Sequence, residues 1–185
     1  ISAYTAIKSS NQVVDTNQVT QNPENPDNVV DGGTNEGDKS EQTNSNTTII
    51  FDLPFENATI SKEYTDSKLL YDATTKLWCT HQGLDFACTE GQEVVAVYDG
   101  KVTKVENSMM NGTVVYLKVS DNLTVVYKGL ASDVNVKEGD DIKKGTKLGK
   151  ITSFLTEKAD GIHLHLEVLK QDKLVDPTEY FSFNK

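Results

Sequence analysis

Between Gln92 and Lys128 the chain repeats one pattern, a short β-branched or aromatic run followed by a dipeptide that tolerates positive φ. Glu93–Tyr98 is such a run, closed by Asp99-Gly100, and Lys101–Glu106 is predicted to pair back on it. Asn111-Gly112 opens Thr113–Val119, Asp121-Asn122 turns the chain, and Leu123–Tyr127 returns. Turn pairs of this kind between alternating runs specify antiparallel hairpins. Val136–Ile151 carries Gly139, Gly145 and Gly149 between short apolar positions, which suits strands bent at bulges. Ile162–Leu169 reads as a further strand, and Asp176-Pro177 ends the sheet. Helical rhythm is thin, with room for a turn or two at Ser61–Tyr71 and Pro177–Phe181. The expected class is all-β, a curved antiparallel sheet or two packed sheets, without solenoid or propeller repeats.

Composition divides the 185 residues unevenly. Residues 1–47 are dominated by Asn, Gln, Thr, Asp, Glu, Ser and Gly, and Tyr4 is their one aromatic residue. Such a segment buries too little apolar surface to offset the entropy of ordering it, so it is predicted to be a disordered, acidic tether. Residues 48–185 hold the clustered, alternating apolar positions and are long enough for a core of their own. The chain opens on Ile1 and contains no run of about 20 apolar residues. The expectation is a cleaved signal peptide or, better matched to a long tether, a domain cut from a longer membrane-anchored protein and held away from the membrane surface.

The net charge is −10, and all 18 basic residues are lysines. An acidic chain without arginine argues against nucleic-acid binding, which needs clustered positive charge against phosphates. Solubility and self-repulsion account for the acidity. Cys79 and Cys88 leave three readings open, as small buried hydrophobes, a disulfide or metal ligands. Their spacing fits no paired CxxC zinc pattern.

The chain's three histidines fall in two short segments, Trp78-Cys79-Thr80-His81-Gln82-Gly83-Leu84-Asp85 and Gly161-Ile162-His163-Leu164-His165-Leu166-Glu167-Val168. On a strand, His163 and His165 share a face about 7 Å apart while Ile162, Leu164 and Leu166 take the other. A lone strand histidine is usually a hydrogen-bonded surface or core residue. Here, however, His81 and Asp85 offer a nitrogen and an oxygen across a bend at Gly83, and a histidine of the second segment can add a third ligand. Zinc takes such donors tetrahedrally, and three protein ligands leave the fourth position to water.

The order of motifs resembles the LytM/M23 peptidase family. His81-Gln82-Gly83-Leu84-Asp85 is similar to its HxGxD element, Gly91 with Val94-Val95-Ala96 to GxxVxA, and Asp99-Gly100-Lys101-Val102 to DGxV. Gly112–Leu117, the hairpin Val136–Gly145, Gly161–Glu167 (GIHLHLE) and Val175-Asp176-Pro177 with Tyr180 resemble the elements that follow, so that the likeness runs from about Leu77 to Phe181. It implies a curved antiparallel sheet with a groove and a Zn2+ site of His81, Asp85 and His165. It further implies that His163 is one of two catalytic histidines. The second falls in a Y.HL strand that aligns with Tyr127-Lys128-Gly129-Leu130, where this chain has Gly129.

Glycine cannot position water or an oxyanion, and loss of a positioned acid–base group costs about 10²–10⁴ in rate. The expectation is a zinc domain with little or no peptidase activity, in which His163 is vestigial and strand alternation points Lys128 away from the site. Leu166 stands where the family usually has Phe, and Thr152–Asp160 replaces its Thr-Gly-rich loop. Tether and degenerate domain together resemble the LytM-like proteins of clostridial sporulation. That resemblance implies a forespore-membrane protein whose domain faces the intermembrane space, pairing with a mother-cell protein, stage III sporulation protein AH, during engulfment. The competing readings are an active endopeptidase cutting peptidoglycan crosslinks and an inert regulator of a separate wall hydrolase.

Overall fold

A computed structural model describes residues 48–183; the tether expected over residues 1–47 lies outside them. Twelve strands are present among the described residues: β1 (Thr59–Lys62), β2 (Thr65–Asp72), β3 (Leu77–His81), β4 (Leu84–Ala87), β5 (Glu93–Val95), β6 (Gly100–Ser108), β7 (Gly112–Ser120), β8 (Leu123–Leu130), β9 (Asp141–Ile142), β10 (Lys147–Lys150), β11 (His163–Lys170) and β12 (Lys173–Val175). Single 3₁₀ turns at Lys158–Asp160 and Pro177–Tyr180 are the helical content of the described residues. The fold is all-β, as the turn pattern predicts.

The main sheet is antiparallel throughout, in the order β1-β4-β11-β8-β7-β6-β9. Its centre is β11. One edge of β11 pairs with β8 from His165 to Lys170; the other pairs with β4 from His163 to Leu166 and then with β12 from Val168 to Lys170. Two small pairs, β5–β10 and β2–β3, stand outside this sheet. Alternation on β11 sorts its side chains as expected, with Leu164, Leu166 and Val168 fully buried in the core and His163, His165 and Glu167 on the opposite face. Val94 of β5 and Leu148 of β10 join Leu117, Val125, Tyr127 and Leu130 in the same buried cluster, so the β5–β10 pair closes that core.

Three local expectations fail, each for a visible reason. Glu93–Tyr98 does not pair with Lys101–Glu106; β5 pairs with β10, and β6 pairs with β7 and β9. The Asp99 carboxylate accepts hydrogen bonds from Lys144 N and Lys143 Nζ, which ties it to the β9–β10 loop instead of a hairpin turn. Gly100 serves a close approach, since a Cβ there would stand 2.6 Å from the Lys118 carbonyl oxygen. Ser61–Tyr71 is strand, not helix, because β1 pairs with β4 and β2 with β3. Within Val136–Ile151, Gly139 and Gly145 turn the chain at φ of 94° and 81°, leaving two short strands instead of bent long ones.

Tyr127 is fully buried, and its hydroxyl oxygen accepts a hydrogen bond from the Val97 N–H at 3.0 Å, which fixes the segment after β5 to the main sheet. Tyr127→Phe leaves that buried donor unsatisfied. It is expected to destabilise the domain by about 1–3 kcal/mol in urea unfolding; an unchanged midpoint would show that the bond contributes nothing.

Candidate metal centre

The register of the sheet assembles the centre. β3 ends at His81, the chain bends at Gln82-Gly83 and runs on along the β1–β2 arm, and β4 places Asp85 directly opposite His165 of β11. Gly83 contributes space here. Its φ is not positive, but a Cβ would fall 2.7 Å from His165 Nε2 and 2.8 Å from the Leu166 carbonyl oxygen. The imidazole therefore lies against the bare glycine.

Four donor groups meet at the mouth of the groove: His81, Asp85, His165 and Glu157. His81 Nε2 is 3.2 Å from Asp85 Oδ1 and 3.3 Å from His165 Nδ1, and Asp85 Oδ1 is 2.8 Å from His165 Nδ1. Glu157 Oε1 is 3.5 Å from His81 Nε2, and its Oε2 is 3.0 Å from His165 Nδ1. Bonds of ~2.0–2.1 Å to a tetrahedral zinc place neighbouring donors about 3.3 Å apart. The observed separations bracket that edge length.

The outer hydrogen bonds orient the rings. His81 Nδ1 is 2.9 Å from the Glu63 carbonyl oxygen, an acceptor only, so Nδ1 carries a proton and Nε2 faces the centre. His165 Nε2 is 3.3 Å from the Glu167 carboxylate, which Lys128 Nζ neutralises, and this leaves Nδ1 facing the centre. Imidazoles that ligate a metal are held in this way, by a carbonyl or carboxylate on the remote nitrogen. With both rings neutral, two nitrogen lone pairs and the Asp85 carboxylate converge on one point and repel unless a cation lies between them. Asp85 Oδ2 and His163 Nε2 are, among the described residues, the buried side-chain polar atoms without a hydrogen-bond partner. The arrangement fits a divalent cation.

Protons are the alternative charge. Burial pushes His81 down, but its bonds to Asp85 and Glu157 outweigh burial and raise it to about 9. His165 is likewise raised well above the ordinary value, against burial, by Asp85 and Glu157, and His163 is raised against burial by Glu157 and Asp85. Asp85 and Glu157 are held below ordinary carboxylate values despite burial, through their bonds to these histidines.

The structure also brings in residues that the motifs do not mark. Glu157 comes from the rewritten loop Thr152–Asp160; that departure from the family pattern was the signal available in the sequence. Phe154 of the same loop stacks edge-on against His163 at 4.9 Å between ring centres. Gly129 has φ of 87°, and a Cβ there would meet Phe154 Cε1 at 2.8 Å. His163 donates from Nδ1 to the Gly161 carbonyl oxygen and is 1% exposed, beneath Phe154 and Glu157. Lys128 does not point away. It is the register partner of His165 and lines the groove with Asn111, Thr156 and Glu167. A bulge at Lys128-Gly129, opposite Val114, resets the alternation that the sequence reading assumed. Both cysteines are free and neither joins the cluster: Cys79 is exposed, and burial pushes the Cys88 thiol up to about 11, unlike a ligating thiolate.

The model of peptidase family M23 matches residues 79–177, more than half of the chain, and the chain belongs to that family. Stage II sporulation protein Q of Bacillus subtilis (strain 168) is 33% identical over 101 residues, covering 54% of this chain and 35% of that protein. The chain thus spans about a third of the length of the first curated relatives it matches. A chain of the SpoIIQ–SpoIIIAH pore-forming complex superposes with a TM-score of 0.63 at 26% identity, covering 74% of this chain and 93% of that one. A zinc-containing peptidase from Vibrio cholerae gives 0.55 at 28% identity, covering 70% and 38%. The M23 family, the antiparallel fold and the likeness to sporulation protein Q all agree with the sequence motifs.

Two outcomes follow for the cation-free protein. Raised histidines contribute stability that is complete below the unfolded value of about 6.5 and is lost as pH climbs through about 9. Chelator-treated protein should therefore unfold at progressively lower temperature across that interval, and a flat or rising midpoint would contradict the cluster's electrostatics. Gly83→Ala forces a methyl against the His165 ring and a backbone oxygen. It is expected to cost about 1–3 kcal/mol in urea unfolding.

Proposed function

We propose that this is an extracytoplasmic, zinc-binding M23 domain that no longer cleaves peptidoglycan and acts as an interaction module of a sporulation complex. In this reading Zn2+ is held by His81, Asp85 and His165, and His163 is the remnant of the catalytic pair. The partner is a mother-cell protein of the stage III sporulation protein AH type. The polar segment of residues 1–47 spaces the domain from a forespore-membrane anchor, with the domain facing the intermembrane space. Among the described residues no helix is long and apolar enough to cross a membrane.

One observation carries the loss of catalysis. The space beside His163 that a second catalytic imidazole and a substrate carbonyl would need is filled by Phe154, against a glycine at φ of 87°. Zinc in such a ligand set supplies Lewis acidity and lowers the pKa of a bound water to roughly 7. The chain's own groups must still accept and return a proton, and here His163 is shut away from the groove. The interaction role is supported by the likeness to sporulation protein Q and by the superposition on the SpoIIQ–SpoIIIAH complex.

Purified domain is expected to bind the extracytoplasmic part of a stage III sporulation protein AH homologue in calorimetry. Chelation should weaken both that binding and thermal stability, since a metal bound only by the folded state adds stability. Absence of binding would remove the interaction role, and binding indifferent to verified zinc loss would remove zinc from it. The second reading, an active zinc endopeptidase, is favoured by family membership and by the retained His163. Digestion of purified peptidoglycan separates the two. Neither the parent nor Gly129→His should release new amino termini, because a side chain at position 129 meets Phe154. Release that His81→Ala abolishes would establish the enzyme.

A further inference from the structure

We propose that Glu157 is a fourth protein ligand that closes the cation site, so that the bound ion pins the loop over the groove and leaves no open position for water or substrate. The inference rests on the zinc reading above and changes its consequence, from an idle catalytic site to a sealed structural one.

Glu157 is held in place from both sides of the groove. On one side, Thr156 Oγ1 donates to the Met110 carbonyl at 2.7 Å or the Asn111 Oδ1 at 2.8 Å, and the Leu155 and Thr156 amides both donate to the Met110 carbonyl at 3.0 Å. On the other, Lys62 Nζ bonds Asp160 Oδ2 at 2.8 Å and the Ala159 amide donates to Thr74 Oγ1 at 2.9 Å. Lys62 reaches Glu157 Oε1 only at 3.6 Å, whereas the other carboxylate oxygen stands 3.0 Å from His165 Nδ1. A carboxylate serving surface pairing alone would turn to the lysine. This one is directed inward, its side chain 16% exposed, with its oxygens among the ring nitrogens of all three histidines.

Charge leads to the same conclusion. A divalent ion held by two neutral imidazoles and the Asp85 carboxylate keeps one positive charge, the condition under which a bound water acidifies. The Glu157 carboxylate cancels it. Four protein donors and zero net charge describe a structural zinc site, and the position Glu157 takes is the one a catalytic site leaves to water.

The test uses the purified chain with cobalt(II) and zinc as probes and acetohydroxamate as an external ligand. Wild-type cobalt protein is expected to show a four-coordinate visible spectrum that hydroxamate does not alter. Glu157→Ala and the isosteric Glu157→Gln should both shift on addition of hydroxamate. Competition with a chromophoric chelator should give zinc affinities about 10–100-fold weaker for both variants, the size of effect expected for a supporting carboxylate or more. Zinc should slow amide exchange across residues 153–161 in the wild type and not in the variants. A wild-type spectrum that responds to hydroxamate as the variants do, with equal zinc affinity, overturns the closed site and leaves the zinc reading intact. Failure of the wild type to take up either metal overturns both.

Discussion

The feature on which the rest of this domain depends is the convergence of ring nitrogens and carboxylate oxygens on one point that requires a positive charge, whether proton or metal ion. His81 Nε2, His165 Nδ1 and Asp85 Oδ1 lie 2.8–3.3 Å from one another at a place where the sheet allows none of them to turn away. Asp85 is fixed by register opposite His165, His81 by the Glu63 carbonyl and His165 by Glu167. A buried set of acceptors is unfavourable unless a positive charge offsets it, and proton and metal ion are the two candidates. The choice between them is a competition, because each imidazole must lose its proton to bind a metal. Rising pH favours the metal, and falling pH favours the protonated cluster.

Much of this was legible in the residues. The meander from β6 to β8, the β11 strand and its division into histidine and leucine faces follow from turn chemistry and a period of two. The family followed from the order of its motifs. Three things were not legible, each because it depends on tertiary placement. The β5–β10 pairing replaced a local hairpin because Asp99 found its partners in a distant loop, which no local pattern records. The β1–β2 segment lacks clear alternation because the hairpin it forms with β3 is largely exposed, with Leu69, Tyr71, Leu77 and Trp78 each at least half exposed. The orientation of Lys128 turned on a single bulge, and one extra residue reverses every inference drawn from alternation beyond it.

Gly129 illustrates how a missing side chain can be misread. From the sequence it is a deletion, a site lacking one imidazole and otherwise ready. In the structure the same position is part of a rebuilt surface: the glycine's left-handed backbone, the Phe154 ring beside it and the Glu157 carboxylate form one arrangement, supplied by β8 and by a single loop. Filling a space with an aromatic ring adds packing that a reverting histidine would have to displace. The proposed loss of catalysis therefore does not hinge on one residue.

The candidate metal centre and the exposed hairpin are physically joined, which bears on why a domain that, as proposed, does not cleave would keep its ligands. β3 carries Trp78, which packs on Tyr71 across the hairpin with ring centres 5.5 Å apart, and the same strand ends in His81. A two-stranded hairpin is marginal by itself and takes its order from whatever holds its ends. Here those holds are the His81 ring at the centre, the Thr65–His81 register pair, and Thr74 against the 153–161 loop. The proposed cation, shared by β3, β4 and β11, would tie the hairpin to the main sheet. It would thereby fix a surface on which Leu69, Tyr71 and Trp78 stand open across two strands. Selection for that surface would preserve His81, Asp85 and His165 without any demand for hydrolysis.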